Sequence, residues 1–409
     1  MDGATNDPRS VQPAPPAIRR PPVLALVAVS ALSPFAINSV VPSMPAIERA
    51  FNTDYGRVQL ILSMFLASIA ISQIFIGPLS DRFGRRPVLL VGFVLFVAAC
   101  VASPFAPSIE WLIAIRVLQG ATGCVGIVLG RAIVRDLFDR RQAASMIGYV
   151  TMGLAIAPMV APLIGGLSQE MFGWKAIFWF MALLGIGCLA ITWSYVPETN
   201  LNLTTRLNFA TMFRDFRELL KDTDFLLFTA STGLTTGVFF AFLGGAPYIA
   251  ERLLGLSPAV YGLWFASIPI GYAFGNFLSG RFTERFGVAR MILAGNSLAL
   301  IAAALPPLIY LAGSFGPAGL FVPMMLTGVA NGLSLPSGIS GAISVRPDIA
   351  GAASGLSGAA QIGTGALLSA LAGAVIAGSD SPLPVFVIMS TAALLAVFVA
   401  AEIYRRNRR

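Results

Sequence analysis

The sequence contains no histidine and little charge, since only 11% of its 409 residues are Asp, Glu, Lys or Arg. About a quarter is usual for a soluble domain. Without histidine, any proton transfer near neutral pH would need a carboxylate. The three cysteines, Cys100, Cys124 and Cys188, lie in apolar stretches and indicate neither disulfides nor a metal site. Because no nucleophile, base and metal set converges, we expect no enzyme and no cofactor.

The rest of the sequence is strongly apolar, with 56% hydrophobic residues and a mean hydropathy of +0.80. It contains about twelve runs of roughly 20 residues, the length that crosses a hydrocarbon core. This pattern predicts an all-α membrane protein with twelve transmembrane helices in two pseudo-symmetric six-helix bundles. We number the predicted spans 1 to 12: 23–41, 58–76, 88–106, 109–128, 143–167, 176–196, 225–243, 259–279, 291–312, 320–343, 351–377 and 383–401.

Domain boundaries and orientation follow from the polar segments. We expect a disordered tail (1–22), an N-terminal bundle (23–196), a linker (197–222), a C-terminal bundle (223–401) and a basic tail (402–409). Most of the 27 Lys and Arg fall on one set of alternate loops, which places both termini in the cytoplasm of a bacterial-type inner membrane. Since the positive charge lies in short clusters between spans, a lipid surface explains it better than nucleic acid.

An internal repeat supports two related halves. Three short segments of the first half recur in order about 200 residues later in the second. The matched segments are Glu48-Arg49 with Glu251-Arg252, Tyr55-Gly56 with Tyr261-Gly262, and Leu79–Phe83 with Leu278–Phe282. The last match sets Gly280 opposite Asp81.

A dense charged stretch interrupts the apolar sequence between spans 2 and 3, and it predicts a tight loop over residues 77–87. Its glycines allow close backbone approach and tight turning. Its arginines suit the cytoplasmic face, and its carboxylate can accept hydrogen bonds from an arginine or a helix N-terminus. The residues that we single out are Gly77, Asp81, Arg82, Gly84, Arg85 and Arg86.

This stretch resembles the signature loop of the major facilitator superfamily. Further motifs are similar to the twelve-helix drug:proton antiporter branch and, within it, to the Bcr/CflA multidrug efflux group: Ser33–Ala36 with Pro42 and Pro45, Arg116–Gly120, residues 153–166, Pro197-Glu198-Thr199, and Arg346-Pro347-Asp348. The resemblance implies alternating access and export of small amphipathic drug-like compounds in exchange for protons. It also implies that Asp81 latches the two halves together near residues 350–353.

Isolated polar side chains inside apolar helices are costly and more often face the interior than lipid. Arg116 therefore faces the bundle interior, unless its guanidinium extends to the outer interface. We assign Asn38, Arg116 and Gln119 to the cavity and to coupling. The predicted substrate cavity contains Gln59, Phe65, Phe239, Phe240, Asn331 and Gln361.

Span 5 carries small residues and prolines at helical spacing. Small residues let helix backbones come close, and proline bends a helix. This face suits either tight packing while the halves move or a static seam. It contains Gly153, Pro158, Pro162, Gly165 and Gly166.

One departure from the resembled group bears on mechanism. Span 1 has an amide, Asn38, where related pumps usually carry an acid, and asparagine cannot bind and release a proton. The proton site has then moved, with Asp81, Glu48 or Glu110 as candidates, or the chain is an uncoupled facilitator or metabolite exporter. A non-transporting receptor or scaffold on the same fold is the alternative of another class. We expect a monomer.

Overall fold

The structure is a computed structural model, and it describes residues 20–138, 142, 146, 150, 156–200, 203 and 209–408. These residues form helices joined by short turns, and no strand occurs among them. The predicted all-α fold is confirmed. Ten elements of the described chain are long and apolar enough to cross a membrane, as expected of a multi-pass membrane protein.

The first half contains spans 1 to 6, and spans 1 and 4 are each interrupted. Span 1 changes to a 3₁₀ turn at Val41–Ser43, where Pro42 lacks the N–H group that a continuous α-helix needs. Span 4 is interrupted at Cys124. The α-helices are Val23–Ser39 and Met44–Phe51, Tyr55–Phe83, Arg85–Ala102, Ile109–Gly123 and Val125–Leu137, Ile156–Phe172, and Lys175–Tyr195.

The second half contains spans 7 to 12 and follows a short helix, Phe209–Leu219, in the predicted linker. Span 7 ends in a π-helical turn, Ile249–Leu253, and span 8 is interrupted at Ala266. The α-helices are Thr223–Tyr248, Pro258–Phe265 and Ser267–Phe286, Val288–Leu311, Pro317–Ser344, Ala350–Ile376, and Leu383–Arg406.

Several helices run beyond the apolar segments from which we predicted them. Span 1 continues to Phe51, span 2 to Phe83, and the last helix to Arg406 in the predicted basic tail. Hydropathy marks where a helix leaves the hydrocarbon, whereas the helix itself ends where a capping residue or a turn stops it.

The two halves contact each other mainly through span 2 against span 11 and span 5 against span 8. Because the spans alternate in direction, the turns at Gly84 and Gly287 lie at the same end as residues 20 and 408, which we call the terminal end. The turns at Gly173 and Gly378 lie at the opposite end, the far end.

Candidate functional site

The charged turn between spans 2 and 3 consists of one residue rather than the whole predicted loop. The helix of span 2 continues through Pro78 to Phe83, and the next helix begins at Arg85. Gly84 between them has φ +94° and ψ 152°, a backbone conformation available almost only to glycine. The predicted loop over 77–87 is therefore too long. A helix can continue through charged residues once it has passed beyond the hydrocarbon, and here it ends only at Gly84.

The two glycines of this stretch have different surroundings. A Cβ atom on Gly84 would lie 2.4 Å from Oε2 of Glu198, so a side chain there would displace this carboxylate. A Cβ atom on Gly77 would have no described atom within 4 Å. The sequence predicts close approach at both glycines, and the structure shows it only at Gly84, where the neighbour is a side-chain carboxylate rather than backbone.

Arg85 is the centre of a polar network at this turn. Its guanidinium lies 2.6 Å from Oδ1 of Asp81 and 3.1 Å from Oδ2 of Asp136, and its side chain is only 12% exposed. Glu198 accepts hydrogen bonds from the backbone N–H groups of Arg85 and Arg86, at 2.9 and 3.1 Å, and caps the helix of span 3. The network ties the turn to span 4 and to the end of span 6.

Asp81 does not reach the other half in this conformation. Among the described residues its ionic partner is Arg85, one helical turn along the chain, and no hydrogen bond or ion pair joins its carboxylate to residues 350–353. Asn200 donates to the carbonyl oxygen of Asp81 at 3.0 Å. The predicted pairing with span 11 is wrong for this conformation, because a nearby cation satisfies the carboxylate locally.

The two remaining arginines of the turn lie over aromatic rings of their own half. Arg82 lies 5.1 Å from the ring centroid of Phe83. Arg86 lies 5.3 Å from that of Trp193 and donates to its carbonyl oxygen at 2.8 Å. The described contacts of the turn are thus made within the first half and with the start of the linker.

The turn between spans 8 and 9 repeats this geometry, but in another register than predicted. Gly287 has φ +83° and ψ 155° and also separates two helices. Alignment on Gly84 and Gly287 sets Glu284 opposite Asp81, so the predicted match with Gly280 is wrong. The sequence alignment matched identical residues, whereas the structural alignment matches the two turn glycines, Gly84 and Gly287, at which the chain reverses direction.

Arg116 is fully buried inside the first half, with 0% exposure. Its guanidinium donates to Oε1 of Gln119 at 2.8 Å and to the carbonyl oxygens of Ala36 and Ile61 at 3.2 and 3.4 Å. It also lies 3.9 Å from the ring centroid of Phe65. No described carboxylate pairs with it. The guanidinium joins spans 1, 2 and 4, and the alternative of an arginine extended to the interface does not fit this burial.

The three predicted coupling residues do not form one hydrogen-bonded set. Gln119 accepts from Arg116 and donates to Oγ of Ser103 at 2.9 Å. Asn38 is buried and donates to the carbonyl oxygen of Pro34 at 2.8 Å, within its own helix. Its Oδ1 has no hydrogen-bond partner among the described residues. Asn38 is therefore separate from the cluster around Arg116.

The predicted substrate cavity residues lie in different places. Phe65 belongs to the Arg116 cluster. Along the seam between spans 7 and 11, Gln361 donates to Thr236 at 2.8 Å, and Phe240 packs against Gly365. The ring of Phe239 lies 5.4 Å from that of Phe240 and 6.2 Å from that of Phe265 in span 8. Asn331 is buried in span 10, and its Oδ1 has no described partner.

Span 5 packs closely against both halves at the far end. A Cβ atom on Gly165 would lie 2.0 Å from the carbonyl oxygen of Ser39 in span 1. One on Gly166 would lie 2.2 Å from that of Pro258 in span 8, across the halves. Pro162 lies in the same helix, whose described part includes Pro158, whereas Gly153 lies outside the described residues.

Two hydrogen bonds join span 2 to the second half near the far end. Gln59, predicted to line the cavity, donates to Oγ of Ser369 in span 11 at 2.7 Å. The hydroxyl of Tyr55 donates to the carbonyl oxygen of Gly244 in span 7 at 3.2 Å. Gln59 is fully buried and lies between the halves rather than along an open cavity.

Four charged residues also join the halves at the far end, in a reciprocal pattern. Arg252 lies 3.0 Å from Glu48, and Arg49 forms an ion pair with Glu251. Glu48 and Arg49 belong to the helix Met44–Phe51, and their partners belong to the π-helical turn of span 7. We call Glu48, Arg49, Glu251 and Arg252 the far-end clasp.

At the terminal end, Arg346 joins the linker helix to the second half. It lies 3.2 Å from Glu218 of the linker helix and 2.8 Å from Asp348. The hydrogen bond with Asp348 raises the pKa of Arg346 above its ordinary value, so this cation stays charged. Arg346 and Asp348, seen in the sequence as family motif residues, thus anchor the linker.

Sequence reasoning missed several of these residues. Asp136 lies beyond the apolar residues of span 4 and gives no pairing signal, and the capping role of Glu198 has no signal beyond the motif that contains it. Tyr55 and Ser369 are single polar residues in apolar helices and give no pairing signal. The clasp was detectable in principle, because both of its dipeptides belong to the internal repeat.

Comparison with known proteins identifies the family. The model of the Major Facilitator Superfamily matches residues 26–253. The chain belongs to the major facilitator superfamily. It is 32% identical to "Multidrug resistance protein D" of Escherichia coli, over 85% of this chain and 87% of the relative. It is 27% identical to a "Bicyclomycin resistance protein homolog" of Haemophilus influenzae, over 94% and 96%. These relatives confirm the predicted resemblance to drug-efflux members of the superfamily.

Solved structures of other superfamily members have the same fold. The nucleoside transporter NupG superposes with a TM-score of 0.73 at 14% identity, covering 93% of this chain and 99% of that one. A bacterial homologue of the lysosomal transporter Spinster, in an inward-facing conformation, gives a TM-score of 0.68 at 17% identity, covering 93% and 95%. At such low identity the likeness concerns the fold alone.

Proposed function

We propose that this chain is a secondary transporter that exports small, amphipathic, drug-like compounds by alternating access between its two halves. The observation that carries the proposal is the distribution of contacts at the two ends. The far end is closed by hydrogen bonds, ion pairs and close helix packing between the halves. The charged turn at the terminal end is held within one half. Such an arrangement suits a carrier closed at one end.

The drug-like substrate class is supported by relatives named for resistance to drugs that match most of this chain. The seam between spans 7 and 11 suits such compounds, because the ring of Phe240 and the amide of Gln361 both lie along it, with Phe239 next to Phe240. We propose that this seam, with Asn331 of span 10, lines the substrate cavity.

We further propose an orientation with the terminal end in the cytoplasm of the inner membrane, on the strength of its Lys and Arg content. The far end then faces the periplasm. In this orientation, the conformation that is closed at the far end is the one that takes up substrate from the cytoplasm.

Exchange against protons is the coupling that the resemblance favours. One observation favours a second candidate, an uncoupled facilitator or metabolite exporter. Among the charged side chains that the structure describes, only Glu48 and Arg116 are buried, and Arg116 has no carboxylate partner. Because residue 38 is an asparagine, the interior around Arg116 has no described carboxylate side chain that could bind and release a proton.

The main test is expression in a host that lacks its own efflux pumps, with resistance measured across neutral, cationic and anionic drugs. Export predicts raised resistance to several compounds and lowered accumulation of a labelled one. Unchanged accumulation of every compound, with the protein present in the membrane, would favour the receptor or scaffold alternative.

Coupling is tested with the purified chain in proteoliposomes of both orientations. Proton exchange predicts a substrate-driven pH change and loss of uphill transport with an uncoupler. Transport that is downhill only, with no pH change, would establish the facilitator instead.

The charged turn is tested with Asp81→Asn. We expect weaker transport from a folded protein, because the network around Arg85 loses an ionic partner. Wild-type flux in this variant would remove the turn from the mechanism.

A further inference from the structure

We propose that the far-end clasp is the gate of this transporter, so that its two reciprocal ion pairs set the balance between the far-end-closed and far-end-open states. The proposal rests on the alternating-access function proposed above. It assigns a role to Glu48, Arg49, Glu251 and Arg252.

The reciprocity of the clasp follows from the internal repeat. Each half contributes one Glu-Arg dipeptide at equivalent positions, and each dipeptide supplies an acid and a base to the other. Two surfaces related by a two-fold axis meet in this manner, as at an isologous interface between subunits. The Glu-Arg dipeptide occurs once in each half, and its two copies therefore close the far end on both sides of the two-fold axis.

Opening the far end separates each clasp charge from its ionic partner in the other half. Neighbouring residues of a helix do not face each other, so Arg49 is a poor replacement partner for Glu48. By contrast, Arg57 and Glu110 form an ion pair at the same end but within the first half, on spans 2 and 4, at 3.7 Å. Movement of one half against the other breaks the clasp and leaves that pair intact.

The two clasp pairs contribute unequally. In the Glu48–Arg252 pair the carboxylate side chain is 11% and the arginine side chain 44% exposed, and the guanidinium lies 5.2 Å from the ring centroid of Tyr248. In the Arg49–Glu251 pair the side chains are 58% and 25% exposed. Water screens exposed pairs more strongly, so the Glu48 pair carries most of the closing effect.

The position of the clasp also indicates that Glu48 acts in gating rather than as the carrier of a coupled proton. A coupled proton must be taken up on one side and released on the other, so its carrier must face each side in turn. Glu48 lies at the far end and is uncovered only when that end opens. The groups around it are Arg252, Arg49, Glu251 and the hydroxyl of Tyr55. Of the proton sites considered from the sequence, Glu48 is thereby assigned to the gate.

The test measures the far-end distance directly, without substrate. Spin labels are placed on cysteines introduced at Pro107 and Ser314, in exposed far-end turns of the two halves. The natural cysteines are buried and stay unlabelled. Distance distributions are recorded by double electron–electron resonance on the full chain in nanodiscs, for the parent and for Glu48→Gln, Glu251→Gln and the charge-swapped pair Glu48→Arg with Arg252→Glu. Glu110→Gln is the matched control.

We expect Glu48→Gln to raise the ratio of open to closed far ends on the order of tenfold, and Glu251→Gln about twofold. The swapped pair should restore the parent distribution, which excludes a folding defect, and Glu110→Gln should leave it unchanged. A parent-like distribution in Glu48→Gln, or an equal shift in Glu110→Gln, would overturn the gate. Because no substrate is used, a failure of drug export would leave this result intact.

Discussion

Three glycine substitutions at the terminal end test whether backbone geometry and the Glu198 cap hold the charged turn. Gly84→Ala places an alanine at φ +94°, which costs about 1–3 kcal/mol in strain. Its Cβ would also displace the carboxylate of Glu198, and a lost helix cap costs about 0.5–2 kcal/mol. Gly287→Ala has the same strain without a described clash. Gly77→Ala has neither and gains helix propensity, about 1 kcal/mol.

The expected order of stability is therefore Gly77→Ala above the parent, then Gly287→Ala, then Gly84→Ala. The measurement is the free energy of unfolding of each purified variant, from titration with a denaturing detergent in mixed micelles. Equal losses in Gly84→Ala and Gly287→Ala would refute the role of the Glu198 cap. A loss in Gly77→Ala as large as in Gly287→Ala would refute the strain argument.

Three further predictions concern the membrane interior. If the facilitator candidate holds and the parent releases no protons, Asn38→Asp should introduce substrate-driven proton release in proteoliposomes, with Asn38→Ser as the neutral control. Arg116→Met should lower the folded yield by removing bonds among three spans, and Arg116→Lys should recover it only partly, since lysine lacks the planar fork. Gly165→Ala should reduce yield because it clashes within one half, whereas Gly166→Ala should fold but fail to close the far end, as far-end spin-label distances would report.

The sequence was sufficient for the fold because membrane helices leave a strong hydropathy signal. The centres of the spans were predicted, whereas their ends were not, since Phe83 and Arg406 lie beyond the apolar residues that mark a span. The breaks at Cys124 and Ala266 also had no signal, because neither residue opposes helix on its own. Such breaks depend on packing between spans.

The candidate site was predicted less completely than the fold. A buried arginine in an apolar helix is conspicuous, so Arg116 could be assigned to the interior from the sequence alone. Its partners could not, because two of them are backbone carbonyl oxygens, which any residue supplies. The residue types around Asp81 allow an arginine partner, and Arg85 is that partner in this conformation. The pairing with span 11 came from the family resemblance alone and is absent in this conformation.

A rocking motion of the two halves would break the described contacts between them at the far end but not the network around Arg85. The roles of the two groups of contacts can therefore be distinguished by experiment. The network around Arg85 lies within the first half, so it moves as a unit and affects how stable that half is. The contacts of Tyr55, Gln59 and the clasp cross between halves, so each must be broken when the far end opens. Substitutions in the first group should change the free energy of unfolding at a fixed far-end distance. Substitutions in the second should shift that distance at a nearly fixed free energy of unfolding.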